Sequence, residues 1–119
     1  MSATIFPADC PPNPHDTHAL GPVYRVLAGT TPAPVDWQSH DQKGQPLPHG
    51  MCKCRWVSIS LFTNTSVVKK FKNLAHLTHA AELHIPANAG AHMTKRAHID
   101  FWSANNAALA QHVTAVVPI

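Results

Sequence analysis

The sequence predicts an α+β domain: a small, mainly antiparallel and strongly bent sheet of about five short strands, with one main helix and long loops. Three observations lead there. Residues 55–62, 81–85 and 97–102 alternate apolar with polar side chains, the period of two expected of a half-buried strand. Eleven prolines and five glycines disfavour long helices and require much of the chain to be loop. A length of 119 residues suits one modest core rather than two.

The elements follow in chain order. Residues 1–20 place Pro7, Pro11, Pro12 and Pro14 among small polar residues, with His15 and His18 and no apolar period. This is the composition of a disordered, extended arm, leaving a single domain at 21–119. Residues 23–28, VYRVLA, make the first strand, with Val23, Arg25 and Leu27 on one side and Tyr24 and Val26 on the other. An arginine in mid-strand needs a partner or an exit to solvent. Residues 29–50 form a long irregular connection with a helical turn near 35–39, and connections of that length in a small domain are often functional. The second strand, 55–62, opposes Val57, Ile59 and Leu61 to Trp56, Ser58 and Ser60.

Asn64 is placed to cap the main helix, which runs to about Leu74 with Val67, Phe71 and Leu74 on its inner face and Lys69, Lys70 and Lys72 outside. The third strand, 81–85, sets Ala81, Leu83 and Ile85 against Glu82 and His84. Pro86, Asn88 and Gly90 then break the chain ahead of 97–102, where Ala97, Ile99 and Phe101 oppose His98, Asp100 and Trp102. Residues 103–111 are Ala-rich and suit a short helix capped at Ser103, and a last strand covers 112–117. The expected core is Val26, Val57, Ile59, Leu61, Val67, Phe71, Leu83, Ile85, Ile99 and Phe101.

Charge and cysteine content narrow the function classes. The net charge is +3 with histidines neutral, and the ten histidines make it climb steeply below about pH 6.5. Lys69, Lys70 and Lys72 are the densest basic group, a weak patch that does not by itself indicate nucleic acid. No apolar run approaches the roughly 20 residues that span a bilayer, and the N-terminus lacks the basic and apolar regions of a signal peptide. Three cysteines, Cys10, Cys52 and Cys54, cannot all pair in one chain, and a bridge between Cys52 and Cys54 would be strained. Reduced cysteines, a cytoplasmic location and no membrane partner are the expectation.

A sheet that buries the apolar set gathers Ser58, Ser60, Glu82, His84, His98, Asp100 and Trp102 on its opposite face, which is the candidate site. Zinc is possible but not favoured, because Cys52 with Cys54, and His76 with His79 downstream, both miss the usual ligand spacing. A catalytic metal is a second option: His84, His98 and Asp100 match a two-His-one-carboxylate set if their strands are neighbours. A cysteine nucleophile with His98 and Asp100 has the right residue types, but the chain contains no G-x-S-x-G elbow and no Gly-rich phosphate loop.

The order of these features carries more than their types. A strand with central Arg25, a strand with Ser58-Ile59-Ser60 and Phe62, a helix, and then the ELHIP strand with its turn together resemble the ADP-ribosyltransferase fold over residues 23–102. The resemblance implies NAD, or an ADP-ribosyl or phosphorylated ribose group, as a nucleotide-type ligand. Arg25 would hold its phosphate or nicotinamide ribose, Ser58 and Ser60 would line the nicotinamide pocket, and Trp56, Phe62 or Trp102 would offer a ring for stacking. At the third motif the family carries a glutamate. Here the residues are His98-Ile99-Asp100-Phe101-Trp102, so Asp100, one methylene shorter, and His98 stand in the catalytic position. A carboxylate there stabilises the oxocarbenium-like sugar as nicotinamide leaves. A relative resembling RNA 2'-phosphotransferases, which rely on Arg and His, would not need it. Glu82, the one glutamate, lies too early to match. Whether the protein is an enzyme stays open. The alternative is a non-catalytic protein-interaction module, an inhibitor, immunity or regulatory protein, using Trp37, Trp102 and the 29–50 loop as its surface. A His/Asp metal-binding protein is the third reading.

Overall fold

Alternating segments build one six-stranded sheet in the computed structural model, which describes residues 6–119. The strands are β1 (Leu20–Val26), β2 (Ile59–Phe62), β3 (His79–Ile85), β4 (Ala91–Lys95), β5 (His98–Trp102) and β6 (Val113–Pro118). They lie in the order β4-β5-β2-β1-β3-β6, every neighbouring pair antiparallel. The α+β class and the mainly antiparallel sheet are as the sequence predicts. β4 is an addition, in a segment where only a break was expected. It pairs with β5 from Ala91↔Trp102 to Lys95↔His98, and Arg96, at φ 58°, turns the chain between them. Its pattern is hard to read because the inward residue at its buried end is His92, only 1% exposed.

Register sets the two faces. On one side Val23, Ile59, Leu61, Ala81, Leu83, Ile85, Ile99 and Phe101 form the main core, closed by Trp37 and Leu109 from 3₁₀ turns at Pro34–Trp37 and Asn106–His112. Burying a Leu, Ile or Phe side chain contributes about 1.5–3 kcal/mol, so this layer dominates stability. The other side carries two smaller clusters: Val26, Phe62 and Val68 with Leu74, Leu77 and Ile119, and Cys54, Val57 and Trp102 with Phe6 and Cys10. Of the expected core residues, Val67 is only half-buried and Phe71 is 41% exposed; the other eight are buried.

Three expectations are corrected. The helix from Asn64 to Leu74 does not form; the segment is turns around a 3₁₀ turn at Val68–Lys70. Asn64 does receive Ser66 Oγ and the Val67 amide, but β-branched Val67 and Val68 resist continuation. Lys69 Nζ then donates to the Ala75 and Leu77 carbonyls, folding the chain back. The 55–62 strand is shortened: Lys53–Trp56 is a single α-helical turn, α1, and β2 begins at Ile59. Ser58 Oγ bonds the Arg55 carbonyl and Trp56 Nε1 the Gln45 carbonyl, which hold the bend. Lastly, Cys10 and Cys54 are joined in a disulfide across 44 positions, and Cys52 is free and exposed. An odd count leaves room for one long-range bridge, so the expectation of three reduced cysteines fails and takes with it the premise for a reducing compartment.

The same bridge ties down the residues expected to be an arm. Asp16 and His92 exchange backbone hydrogen bonds at 2.9 and 2.8 Å, and the Asn88 amide donates to the Thr17 carbonyl. The part of that expectation falling on residues 1–5 lies outside the described residues. No helix among the described residues is long and apolar enough to cross a membrane.

Candidate functional site

β1 and β2 pair at a single position, Tyr24↔Phe62, and then diverge. Arg25 occupies the gap. Its parity with Val23 sends it towards the core side, where a bare guanidinium would be unfavourable, and backbone carbonyls from both sides of the gap receive it. Nε donates to the Asp36 carbonyl at 2.7 Å, Nη1 to Ser60 at 3.1 Å and Nη2 to Gln38 at 3.5 Å. Burial lowers the Arg25 pKa to about 10, with nearby Asp36 acting against the shift. The Asp36 carboxylate is itself buried and engaged, accepting the Ala28 amide at 2.9 Å and the Ala33 amide at 2.8 Å.

Beyond the gap the strands enclose a cleft of about 420 Å³, a size suited to a small-molecule ligand. Four of the residues predicted for the site, Arg25, Ser58, Ser60 and His98, line it. Asp100 stands behind them. Ser60 and Asp100 are register partners on β2 and β5, Ser58 Oγ lies 3.0 Å from Asp100 Oδ1, and Arg55 Nε lies 3.4 Å from Oδ2. His98 Nδ1 is 3.9 Å from Oδ1, too long for a hydrogen bond. Partial burial lowers the His98 pKa; the Asp100 charge opposes that shift and Arg55 reinforces it.

Three basic side chains lining the cleft went unrecognised in the sequence: Lys43 and His40 from the long connection, and Arg55 from α1. Residues 38–45 are held in a fixed shape. Gln42 Oε1 accepts the Ser39 amide and Asn106 Nδ2, both at 2.9 Å, while Ser39 Oγ accepts the Gln42 amide at 3.2 Å. The His40 ring stacks on Trp56 with centroids 4.4 Å apart. Desolvation lowers the Lys43 pKa, the positive charge of Arg25 adds to the shift, and Asp36 opposes it. Among the described residues lining the cleft there is no carboxylate. Its charges are therefore cationic, and at another part of its wall Phe62, Phe71, Leu74 and Leu77 are apolar. The length of the 29–50 connection was the sole sequence signal for the first two of these residues.

Other predicted residues lie elsewhere. Trp102 is 2% exposed, packs on Cys54 and Val57 and donates Nε1 to the Cys54 carbonyl at 2.8 Å, so it offers no free ring. Trp56 is already stacked on His40, which leaves exposed Phe71 as the accessible aromatic. Glu82 lies on β3 beside Tyr24, whose hydroxyl is 3.3 Å from its Oε2, outside the cleft. Trp37 is buried with 5% exposure, so neither tryptophan assigned to an interaction surface is available to one. The His84, His98 and Asp100 metal set is ruled out by strand order: β1 and β2 separate β3 from β5, a distance of roughly 14 Å at ordinary strand spacing. Cys54 is taken by its disulfide, which removes it from the Cys52/Cys54 set. Among the described residues no three His, Cys, Asp or Glu side chains group to hold a metal. No family model, curated protein or solved structure matches the chain.

Proposed function

We propose that the chain is a small ADP-ribosyltransferase-like domain that binds a nucleotide-type small molecule, NAD or an ADP-ribosyl or phosphorylated ribose group, in the cleft beside β1 and β2. The observation that carries this reading is the convergence of Arg25, Ser58, Ser60 and His98, drawn from distant parts of the chain, on one cleft. Anionic phosphate suits its cationic lining, and a base or nicotinamide ring suits the apolar wall with exposed Phe71. Ser60 and His98 are the polar groups placed to meet a ribose.

Binding is better supported than transfer. The Asp100 carboxylate already faces Ser58 and Arg55, so it would have to exchange those partners before holding a ribose hydroxyl or a developing oxocarbenium. His98 lines the cleft directly and is the better placed of the two for proton transfer.

A thermal melt with saturating NAD or ADP-ribose tests this. Ligand at about 100 times its Kd stabilises the folded state by roughly 2.7 kcal/mol, a rise on the order of 10 °C in a domain of this size. The rise should shrink in His98→Ala and Ser60→Ala, which leave the Arg25 brace intact. Absence of stabilisation by both ligands would overturn the reading.

A further inference from the structure

Lys43 is exposed at the lip of the cleft, and among the described residues its ammonium makes no hydrogen bond or ion pair. An unpaired surface lysine is ordinary; this one differs in its surroundings. It stands close enough to Arg25 for the two charges to interact, in a cleft also lined by Arg55, His40 and His98 and by no described carboxylate. The two nearby carboxylates are already engaged. Asp36 accepts two backbone amides, and Asp100 faces Ser58 and Arg55. Asp36 offsets part of the positive charge at Arg25 and Lys43, yet the cleft lining itself carries only cationic charge, and an anion entering it relieves the remaining repulsion.

The loop is also prepared for the purpose. Gln42 is locked to Ser39 and Asn106, His40 is stacked on Trp56, and His40 Nδ1 lies 2.8 Å from Gln45 Oε1. Little ordering of the backbone is then required when an anion arrives, which favours affinity. We infer that Lys43, Arg25 and Arg55, with His40 at the rim, form a phosphate subsite presented by the 38–45 loop. The three cations come from different elements, the loop, β1 and α1. Donors converging from several directions suit a tetrahedral phosphate better than a planar carboxylate, which is bound best by a single fork.

The inference rests on reading this cleft as a ligand site, and it assigns the part of the ligand that Lys43 recognises. Titration calorimetry with inorganic phosphate, pyrophosphate and ADP-ribose tests it on the wild-type chain, Lys43→Met and Lys43→Arg, with chloride at matched ionic strength as the control for general charge screening. Pyrophosphate and phosphate should bind saturably to wild type, about ten-fold or more weakly to Lys43→Met, and nearly normally to Lys43→Arg. Lys43 is exposed and anchors nothing, so unchanged melting temperatures should accompany the loss. Equal phosphate binding by Lys43→Met and wild type, or none beyond the chloride control, overturns the subsite. Lys43-dependent binding of phosphate and pyrophosphate without binding of ADP-ribose supports the subsite and removes the ADP-ribosyl reading. ADP-ribose affinity that ignores Lys43 does the reverse.

Discussion

Arg25 Nη1 donates to the Ser60 carbonyl at 3.1 Å, so the connection between β1 and β2 past their one paired position is a side chain instead of a backbone ladder. This bond both holds the sheet together and keeps it open. A continued ladder would bring the strands to about 4.8 Å and remove the space the cleft occupies.

The first prediction concerns that brace. Arg25→Met should lower stability by about 1–3 kcal/mol, because the part-buried carbonyls of Asp36, Ser60 and Gln38 lose a charged donor. Arg25→Lys should recover little, since one ammonium cannot reproduce the spread of the guanidinium fork. Urea denaturation measures both, and a Met variant as stable as wild type would show that the guanidinium is not what joins the strands.

Acid sensitivity provides the second. The His98 pKa is lowered chiefly by desolvation, so the unfolded chain binds its proton more readily than the folded one. Stability from this group is therefore full above the unfolded value of about 6.5 and declines as pH falls from there through the lowered folded value. In His98→Gln the slope of melting temperature against pH below about 6.5 should be shallower than in wild type. Parallel slopes would mean that other histidines govern the acid limb.

Ser58→Ala is the third. The buried hydroxyl lies 2.8 Å from the Arg55 carbonyl and 3.0 Å from Asp100 Oδ1, and links α1 to β5. Its removal should cost about 1–2 kcal/mol by chemical denaturation. Combined with Asp100→Asn it should cost less than the sum of the two single changes, because the partners share one network. Strict additivity would deny that the two side chains are coupled.

The cysteines give the fourth. Peptide mapping without reductant should recover a Cys10–Cys54 linked pair, with Cys52 the thiol that alkylates. The double variant Cys10→Ser and Cys54→Ser should lose up to about 4 kcal/mol on the chain-entropy account of a loop this long. Three alkylatable thiols in the native protein would contradict the pairing.

Alternation over a few residues was enough to identify the strands at 81–85 and 97–102 and the apolar face that became the main core, and chain length was enough to expect a single domain. Alternation also nominated Ser58, Ser60 and His98, because a period of two commits each residue to a side wherever the strand lies, whereas Arg25 was nominated by the order of the motifs along the chain. Only the tertiary structure decided which strands are neighbours, since pairing joins segments such as β2 and β5 that lie far apart in the chain. That order parted His84 from His98 and put Ser60 opposite Asp100. Long-range contacts likewise buried Trp102 against Cys54, bonded Cys54 to Cys10, and let Lys69 fold back a segment whose local spacing read as helix. Lys43, in a loop without periodicity, has no local pattern to mark it. Its place beside Arg25 follows from the packing of Gln42 on Ser39 and Asn106 and of His40 on Trp56. Periodicity is a property of neighbouring residues and is written in the sequence, whereas a cleft is made by residues that meet only when the whole sheet has closed.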